Sequence, residues 1–380
     1  MKIVRIETIQ QASKYDVRIE SGLIGGAGKL IRKSLGRDAQ KAVVVSNKKV
    51  FSLYSEAVVS GLRRNGFETS IHLIGDGERY KNFASLNKIL EHLAVSSLAR
   101  TDVVVGLGGG VVGDIAGFAA SVYLRGVQFV QIPTTLLSMI DSSVGGKTGI
   151  NTLFGKNLIG SFYQPSLVVI DPKVLETLPK REFTAGLCEA VKHGAISGQP
   201  LFQETVSIID DLSNAEHSKL LQTKGFESFL ARHIVFKADI VKHDELELSS
   251  KTDAKSRKIL NFGHTFAHAL EKATKYRYLR HGEAVGYGII FAAELSKKLG
   301  LLDAKVVNLL RDVVHRCGDL PSIKDIDPET VHGSFKFDKK NTGGSLQWVL
   351  LRRIGQPVIV PHEKIGDELV RQTVKEIISA

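Results

Sequence analysis

The run Asp102-Val-Val-Val-Gly-Leu-Gly108-Gly-Gly-Val-Val-Gly113-Asp114-Ile-Ala-Gly-Phe-Ala-Ala120 decides how the first half of the chain is read. Its opening block of β-branched residues has the length and composition of a strand buried on both faces. The glycines that follow match G-x-G-x-x-G, and the alanine-rich segment after them continues as a helix. Strand, glycine turn and helix in this order make one unit of a parallel sheet, with turn N–H groups suited to a pyrophosphate. The standard dinucleotide fingerprint is incomplete, because no acidic residue stands about 20 positions further on to hold a ribose and the motif is not on the first strand. Two readings remain open here: a dinucleotide held in another geometry, or a tight packing turn.

Outward from this run the pattern repeats. Tyr15, Val17 and Ile19 alternate like a half-buried strand, and 41–46, 70–74, 127–132 and 167–170 read as buried strands, with helical stretches at 51–65 and 83–97. A largely parallel sheet is expected over residues 1–180. From 181 the periodicity becomes helical, at 182–196, 227–243, 256–275, 283–299 and 303–316, before a late hairpin from Gln347–Leu351 and Pro357–Val360. The expected fold is thus an α/β N-terminal domain, 1–180, followed by a mainly α-helical C-terminal domain, 181–380. The length of 380 residues fits two domains at about 150 residues each. The polar stretch 249–256 reads as an exposed loop.

Composition narrows the function. With 43% apolar residues the chain can build a large core, which excludes a disordered or fibrous protein. Two cysteines, Cys188 and Cys317, make no disulfide framework and fit a reducing cytoplasm. Cys188 is expected to be a small buried residue rather than a catalytic thiol. Charges interrupt the N-terminus where a signal peptide needs an apolar segment, and no membrane span is expected. Lys and Arg number 51 against 40 Asp and Glu, a formal net charge of +11. Nucleic acid, an anionic membrane surface or a small acidic substrate could each account for that excess. The basic residues are dispersed and aromatics are only 7%, which weighs against nucleic acid.

Several segments carry chemistry. Gly75-Asp76-Gly77-Glu78-Arg-Tyr-Lys81 offers a carboxylate for ribose hydroxyls and a lysine for phosphate. Asp141-Ser-Ser-Val-Gly-Gly-Lys147 ends like a P-loop but has Asp141 where the first glycine belongs, so ATP use is not supported. It leaves a glycine-flanked lysine suited to an anion, followed by another in Gly155-Lys156-Asn157. In the expected helix 256–275, Arg257, Asn261, His264 and His268 fall at i, i+4, i+7 and i+11 on one face, a stripe without the Lys and Glu of a merely solvated surface. H-E-x-x-H is absent, which excludes the common metalloprotease pattern. Glu189, Lys192 and His193 share another helix, and His281-Gly-Glu283 opens a third. Glu189, His264 and His281 together form a candidate three-ligand metal site with an open position.

Taken in order, Asp76–Lys81, Gly108–Asp114, Tyr123-Leu-Arg125-Gly, Pro133-Thr-Thr-Leu-Leu, Asp141–Thr148, Gly155–Asn157, Glu189–Lys192, Leu260-Asn-Phe-Gly-His264-Thr-Phe-Ala-His268, His281-Gly-Glu-Ala and Asp338-Lys-Lys340 resemble the 3-dehydroquinate synthase family of the sugar-phosphate cyclases. The resemblance implies a nucleotide-binding first domain, a metal- and substrate-binding second domain and an active site between them. It implies conversion of 3-deoxy-D-arabino-heptulosonate 7-phosphate to 3-dehydroquinate and phosphate, with NAD and Zn²⁺ or Co²⁺ as cofactors, in a cytoplasmic homodimer. It carries metal binding to Glu189, His264 and His281. Nucleotide binding goes to Asp76, Gly77, Glu78, Lys81, Gly109, Gly110, Val111, Asp114, Thr134, Thr135, Lys147, Lys156 and Thr177, with Asn47 beside them. Catalysis or substrate contact goes to Asp141, Lys147, Asn157, Lys192, Lys237, Arg257, Asn261, His268 and one of the pair Lys339 and Lys340, and Arg125 would reach the neighbouring subunit's substrate. The Lys237–Arg257 spacing is longer than the family pattern, with the extra length in 249–256. Another sugar-phosphate cyclase is the nearest alternative, and an iron-type polyol dehydrogenase, which would use an Asp ligand, is a more distant one.

Overall fold

A computed structural model describes residues 14–214, 217–248, 250–341 and 346–380; the side chains of 213–218 and 336–341 lie outside the described set. Among the described residues six parallel strands, β1 (Asp16–Ile19), β2 (Lys41–Asn47), β3 (Glu68–Ile74), β4 (Val103–Gly108), β5 (Gln128–Pro133) and β8 (Leu167–Ile170), form one sheet in the order β1-β8-β5-β4-β2-β3. Alternate residues face opposite layers. Ala42 and Val44 of β2 join Val103, Val105, Val130 and Ile132 beneath α1 (Ala27–Leu35) and α2 (Lys48–Arg64). Val43, Val45, Val104 and Phe129 face α3 (Phe83–Val95) and α4 (Gly110–Val122) on the other side. Because both faces are apolar, these strands read as continuous runs, which is why they were legible in the sequence.

Between β5 and β8 lies an antiparallel hairpin, β6 (Lys147–Thr152) and β7 (Gly155–Phe162), that sequence reading did not anticipate. Its strands mix glycine, polar and a few apolar residues and lack a long apolar run. Gly145 and Gly146, with φ of +97° and +66°, turn the chain into β6, so no helix follows the P-loop-like segment.

The second half packs α5 (Lys180–Ser197), α6 (Gln199–Asn214), α7 (His217–Leu221), α8 (Lys224–His243), α9 (His264–Ala273), α10 (His281–Lys298), α11 (Ala304–Arg316), α12 (Pro328–Asn341) and α13 (Asp367–Ser379) with the antiparallel hairpin β9 (Gln347–Leu351) and β10 (Pro357–Pro361). Helix α10 is central, packing on α5, α9, α11 and α13. The expected continuous helix 256–275 is corrected. Arg257–Asn261 form a 3-10 turn, and α9 begins only at His264, because Gly263 adopts φ +80°. A Cβ there would lie 2.8 Å from the Ile289 nitrogen, so the kink is also a point of close contact with α10. The 249–256 stretch is exposed at 252–255, but Ser256 is fully buried and caps the turn at Lys258. Cys188 and Cys317 are buried in the helical core. Among the described residues no helix is long and apolar enough to cross a membrane.

Candidate active site

The carboxyl ends of the parallel strands open into a cleft of about 550 Å³ that faces the helical half. This is where side chains from successive strand–helix turns converge in an open parallel sheet. Asn47 follows from the end of β2, Asp76, Gly77, Glu78 and Lys81 from the turn after β3, Gly109, Gly110, Val111 and Asp114 from the start of α4, and Thr134 and Thr135 from the end of β5; all line the cleft, with Thr177. The glycine run divides its work. A Cβ on Gly108 would meet Val112 at 2.7 Å, and one on Gly113 would meet Gln131 at 2.6 Å, so these two serve helix–sheet packing. Gly109 and Gly110 face the cleft, and no side chain caps α4, which leaves its first-turn N–H groups for an anionic ligand. Lys81 is buried and paired with both Asp114 and Asn157, while Asn151 donates to Glu78 at 2.7 Å.

Across the cleft, two close backbone contacts gather the metal-ligand candidates. A Cβ on Gly282 would fall 1.9 Å from the Ala185 carbonyl oxygen, and one on Gly288 would fall 2.0 Å from the Gly263 carbonyl oxygen. Glycine therefore lets α10 lie directly on α5 and on the start of α9. Glu189 stands one turn after Ala185, His264 follows Gly263, and His281 precedes Gly282. Bidentate pairing of Arg181 with buried Glu283, at 2.7 Å on each arm, further ties α5 to the first turn of α10.

Their donor atoms all lie within 4.8 Å of one another. Glu189 Oε1 is 3.7 Å from His264 Nε2 and 3.4 Å from His281 Nε2, close to the edge of about 3.4 Å expected for a tetrahedron with bonds of about 2.0–2.1 Å. Glu189 is fully buried, and among the described residues neither carboxylate oxygen has a well-formed hydrogen bond, although the Lys192 ammonium is 2.7 Å from Oε2. A buried carboxylate left open beside two imidazoles fits a divalent metal.

Next to it sits a cationic group. Asp141 pairs with Lys237, with Lys192 at 3.9 Å and with His193 at 3.6 Å. Burial alone would raise the Asp141 carboxyl, but the Lys192 and Lys237 ammoniums hold it well below the usual carboxylate range. Lys237 is lowered to about 8, chiefly by burial and also by Arg257, with Asp141 opposing. Arg257 is 2% exposed and donates to the carbonyls of Gly145 and Glu245 at 2.8 and 2.7 Å. Lys147, Asn157, Asn261 and His268 complete the lining, so Arg257 and Asn261 share the cleft with both histidines despite the break at Gly263.

The structure leaves two expected residues outside this group. Arg125 is exposed beyond α4, with φ +62°, and does not line its own chain's cleft. The Lys340 side chain lies outside the described residues. Two carboxylates that spacing did not single out are present instead. Glu247 pairs with Lys147 and accepts from Asn261 at 3.1 Å. Glu271 lies between Lys156 and His281, at 3.0 and 3.4 Å. Glu271 was detectable seven residues after His264, on the same helical face; Glu247, on an irregular loop at φ +51°, had no periodic signal.

Two family models match the chain, 3-dehydroquinate synthase N-terminal over residues 71–185 and 3-dehydroquinate synthase C-terminal over 186–341. The chain is 38% identical over 369 residues to a 3-dehydroquinate synthase of Crocosphaera subtropica, covering 96% of each chain. It is 40% identical over 372 residues to one of Synechocystis, covering 95% of this chain and 97% of the relative. Among solved structures, 2-epi-5-epi-valiolone synthase from Streptomyces hygroscopicus, with NAD⁺ and Zn²⁺ bound, aligns with a TM-score of 0.84 at 25% identity, covering 98% and 99% of the two chains.

Proposed function

The chain belongs to the 3-dehydroquinate synthase family, and we propose from the composition of its cleft how it carries out that activity. The reaction converts 3-deoxy-D-arabino-heptulosonate 7-phosphate to 3-dehydroquinate and phosphate, a step of the shikimate pathway in aromatic amino acid biosynthesis. Its course is transient oxidation at C5, β-elimination of phosphate, reduction, ring opening and intramolecular aldol closure. The carrying observation is a Glu-His-His group with a fully buried carboxylate, facing lysines and an arginine, opposite an uncapped, glycine-flanked helix start. When bound, NAD supplies a reversible hydride acceptor, and Zn²⁺ or Co²⁺ on Glu189, His264 and His281 supplies Lewis acidity toward substrate hydroxyls.

The residues of this chain bind and orient. In this reading residues 1–180 hold the nucleotide and 181–380 the metal. Gly109, Gly110 and the α4 N–H groups take the pyrophosphate, and Glu78 takes a ribose hydroxyl, with Lys81 and Lys156 near the phosphates. Asp76, Gly77, Val111, Asp114, Thr134, Thr135 and Thr177 shape that half of the cleft. Lys147, Asn157 and His268 hold the substrate phosphate, which exchanges with Glu247 for the Lys147 ammonium. Lys192, Lys237 and Arg257 hold the carboxylate and hydroxyls, with Asp141 fixing the two lysines and Asn261 contacting the substrate beside them. The departing phosphate is a base and takes the C6 proton, with His268 assisting.

This reading includes a cytoplasmic homodimer in which Arg125 contributes to the partner's site. The outward-facing Leu153, Phe154, Leu158 and Phe162 of the β6–β7 hairpin, and Val122 and Leu124 beside Arg125, supply an apolar surface for it. Incubation with the heptulosonate phosphate, NAD⁺ and zinc is expected to release phosphate and form the carbocycle without accumulating NADH. Absence of the carbocycle overturns the reading, and stoichiometric NADH from a polyol would replace it with a dehydrogenase.

A further inference from the structure

Resting on the reading that Glu189, His264 and His281 hold one divalent metal, we infer that Glu271 is a positioning residue for His281, its carboxylate accepting the Nδ1 proton so that Nε2 is turned to the metal. The two ring nitrogens of His281 face different carboxylates. Nε2 is 3.4 Å from Glu189 Oε1, and Nδ1 is 3.4 Å from each oxygen of Glu271. An imidazole can offer a lone pair at one nitrogen only while the other carries its proton, so the acceptor beside Nδ1 selects the tautomer and sets the ring plane. Glu271 suits that role because it is itself immobilised. It lies on α9 one heptad from His264 and is only 2% exposed, so burial on the helix fixes its place, and the Lys156 ammonium at 3.0 Å balances its charge.

The same residues allow another arrangement, because His268, Glu271 and His281 also bring donor atoms within 4.8 Å of one another. Two features disfavour a second ion there. It would take His281 Nδ1 while Nε2 serves the first ion, which requires a doubly deprotonated ring. It would also sit beside the Lys156 ammonium, already paired with the same carboxylate. The charge of Glu271 is balanced by a lysine, and its free acceptor capacity is directed at the histidine.

The test is zinc affinity, measured by competition with a fluorescent chelator on the full-length protein, together with metal content per chain. Glu271→Gln preserves shape and removes the charged acceptor; it is expected to weaken zinc binding by about 10–100-fold while retaining one ion per chain. Lys156→Met leaves the Glu271 carboxylate facing His281 and is expected to hold zinc within about threefold of the parent, since only the ion pair is lost. Equal weakening in both variants, or unchanged affinity in Glu271→Gln, overturns the inference. So does finding two ions per parent chain with one lost on substitution, which makes Glu271 a ligand. His264→Ala separates the levels: unchanged zinc affinity in that variant refutes the metal site itself rather than the role of Glu271. Nitrogen NMR of the zinc-loaded parent, labelled at histidine, tests the tautomer without any variant having to fold. A proton on His281 Nδ1 is expected, and metal on Nδ1 overturns the inference.

Discussion

Gly282→Ala tests whether close approach of α5 and α10 assembles the metal group. The added Cβ would lie 1.9 Å from the Ala185 carbonyl oxygen, a backbone atom that cannot rotate away. Relief to 3.0 Å, the shortest separation real Cβ atoms tolerate, requires the helices to part by about 1.1 Å at that crossing. Glu189 rides on α5 one turn beyond the contact, and His281 is the residue before it, so their separation changes directly. Metal sites accept deviations of about 0.2 Å in bond length, several times less than this displacement. The expected result is zinc affinity lower by at least about 100-fold. Overpacking is also expected to cost about 2 kcal/mol, lowering the apparent Tm by roughly 4–8 °C. Equilibrium dialysis with metal analysis reads the first effect and a thermal melt of the metal-free protein reads the second. Gly333→Ala is the control, because nothing among the described residues lies within 4 Å of its added Cβ and alanine favours α12. Retention of parent zinc affinity and Tm by Gly282→Ala would refute the argument that glycine-mediated contact sets the ligand geometry.

Other consequences follow from individual groups. His264→Ala is expected to abolish stoichiometric zinc, whereas Lys147→Ala keeps zinc and loses turnover by about 100-fold or more, measured as phosphate release; unchanged activity in either counts against the assigned role. Lys237 loses its proton near pH 8 in the fold but near 10.5 when unfolded, so between these values the unfolded chain binds more protons and stability rises with pH. That gain is bounded by about 3 kcal/mol. Lys237→Met should remove it in urea midpoints compared at pH 7.5 and 9.5, and an identical pH response in parent and variant would dismiss the assignment. Leu153 and Phe154 are 102% and 87% exposed, and replacing both with Glu is expected to convert a dimer to monomers by light scattering. No change in mass would place any dimer contact elsewhere.

The order of strands and helices, and much of the cleft lining, could be read from sequence because those signals are local. An apolar run buried on both sheet faces remains visible whatever packs against it, as do glycines at a strand–helix turn. The hairpin β6–β7 could not be read because glycine and polar residues interrupt its few apolar ones and its pairing is stabilised by register, with Gly149 opposite Gly160. The break at Gly263 was hidden for a related reason. Periodicity across 257–268 is compatible with one helix, and only contact with Ile289 and Gly288 reveals why the chain turns there.

The sequence by itself determined the chemical types at the cleft and their order along the chain: glycines and carboxylates first, then isolated lysines, then one glutamate and two histidines spread over about ninety residues. Tertiary structure decided which of them meet. Glu189, His264 and His281 are brought together by helix contacts that exist only where glycine removes a side chain. Glu247 meets Lys147 a hundred positions away, and Glu271 links Lys156 to His281. Hydrogen bonds and ion pairs act over a few ångströms of space rather than along the chain, so the Glu-His-His group arises only when α5, α9 and α10 close on one another, and the two lysine pairs only when the β6–β7 hairpin meets the loop after α8 and the helix α9.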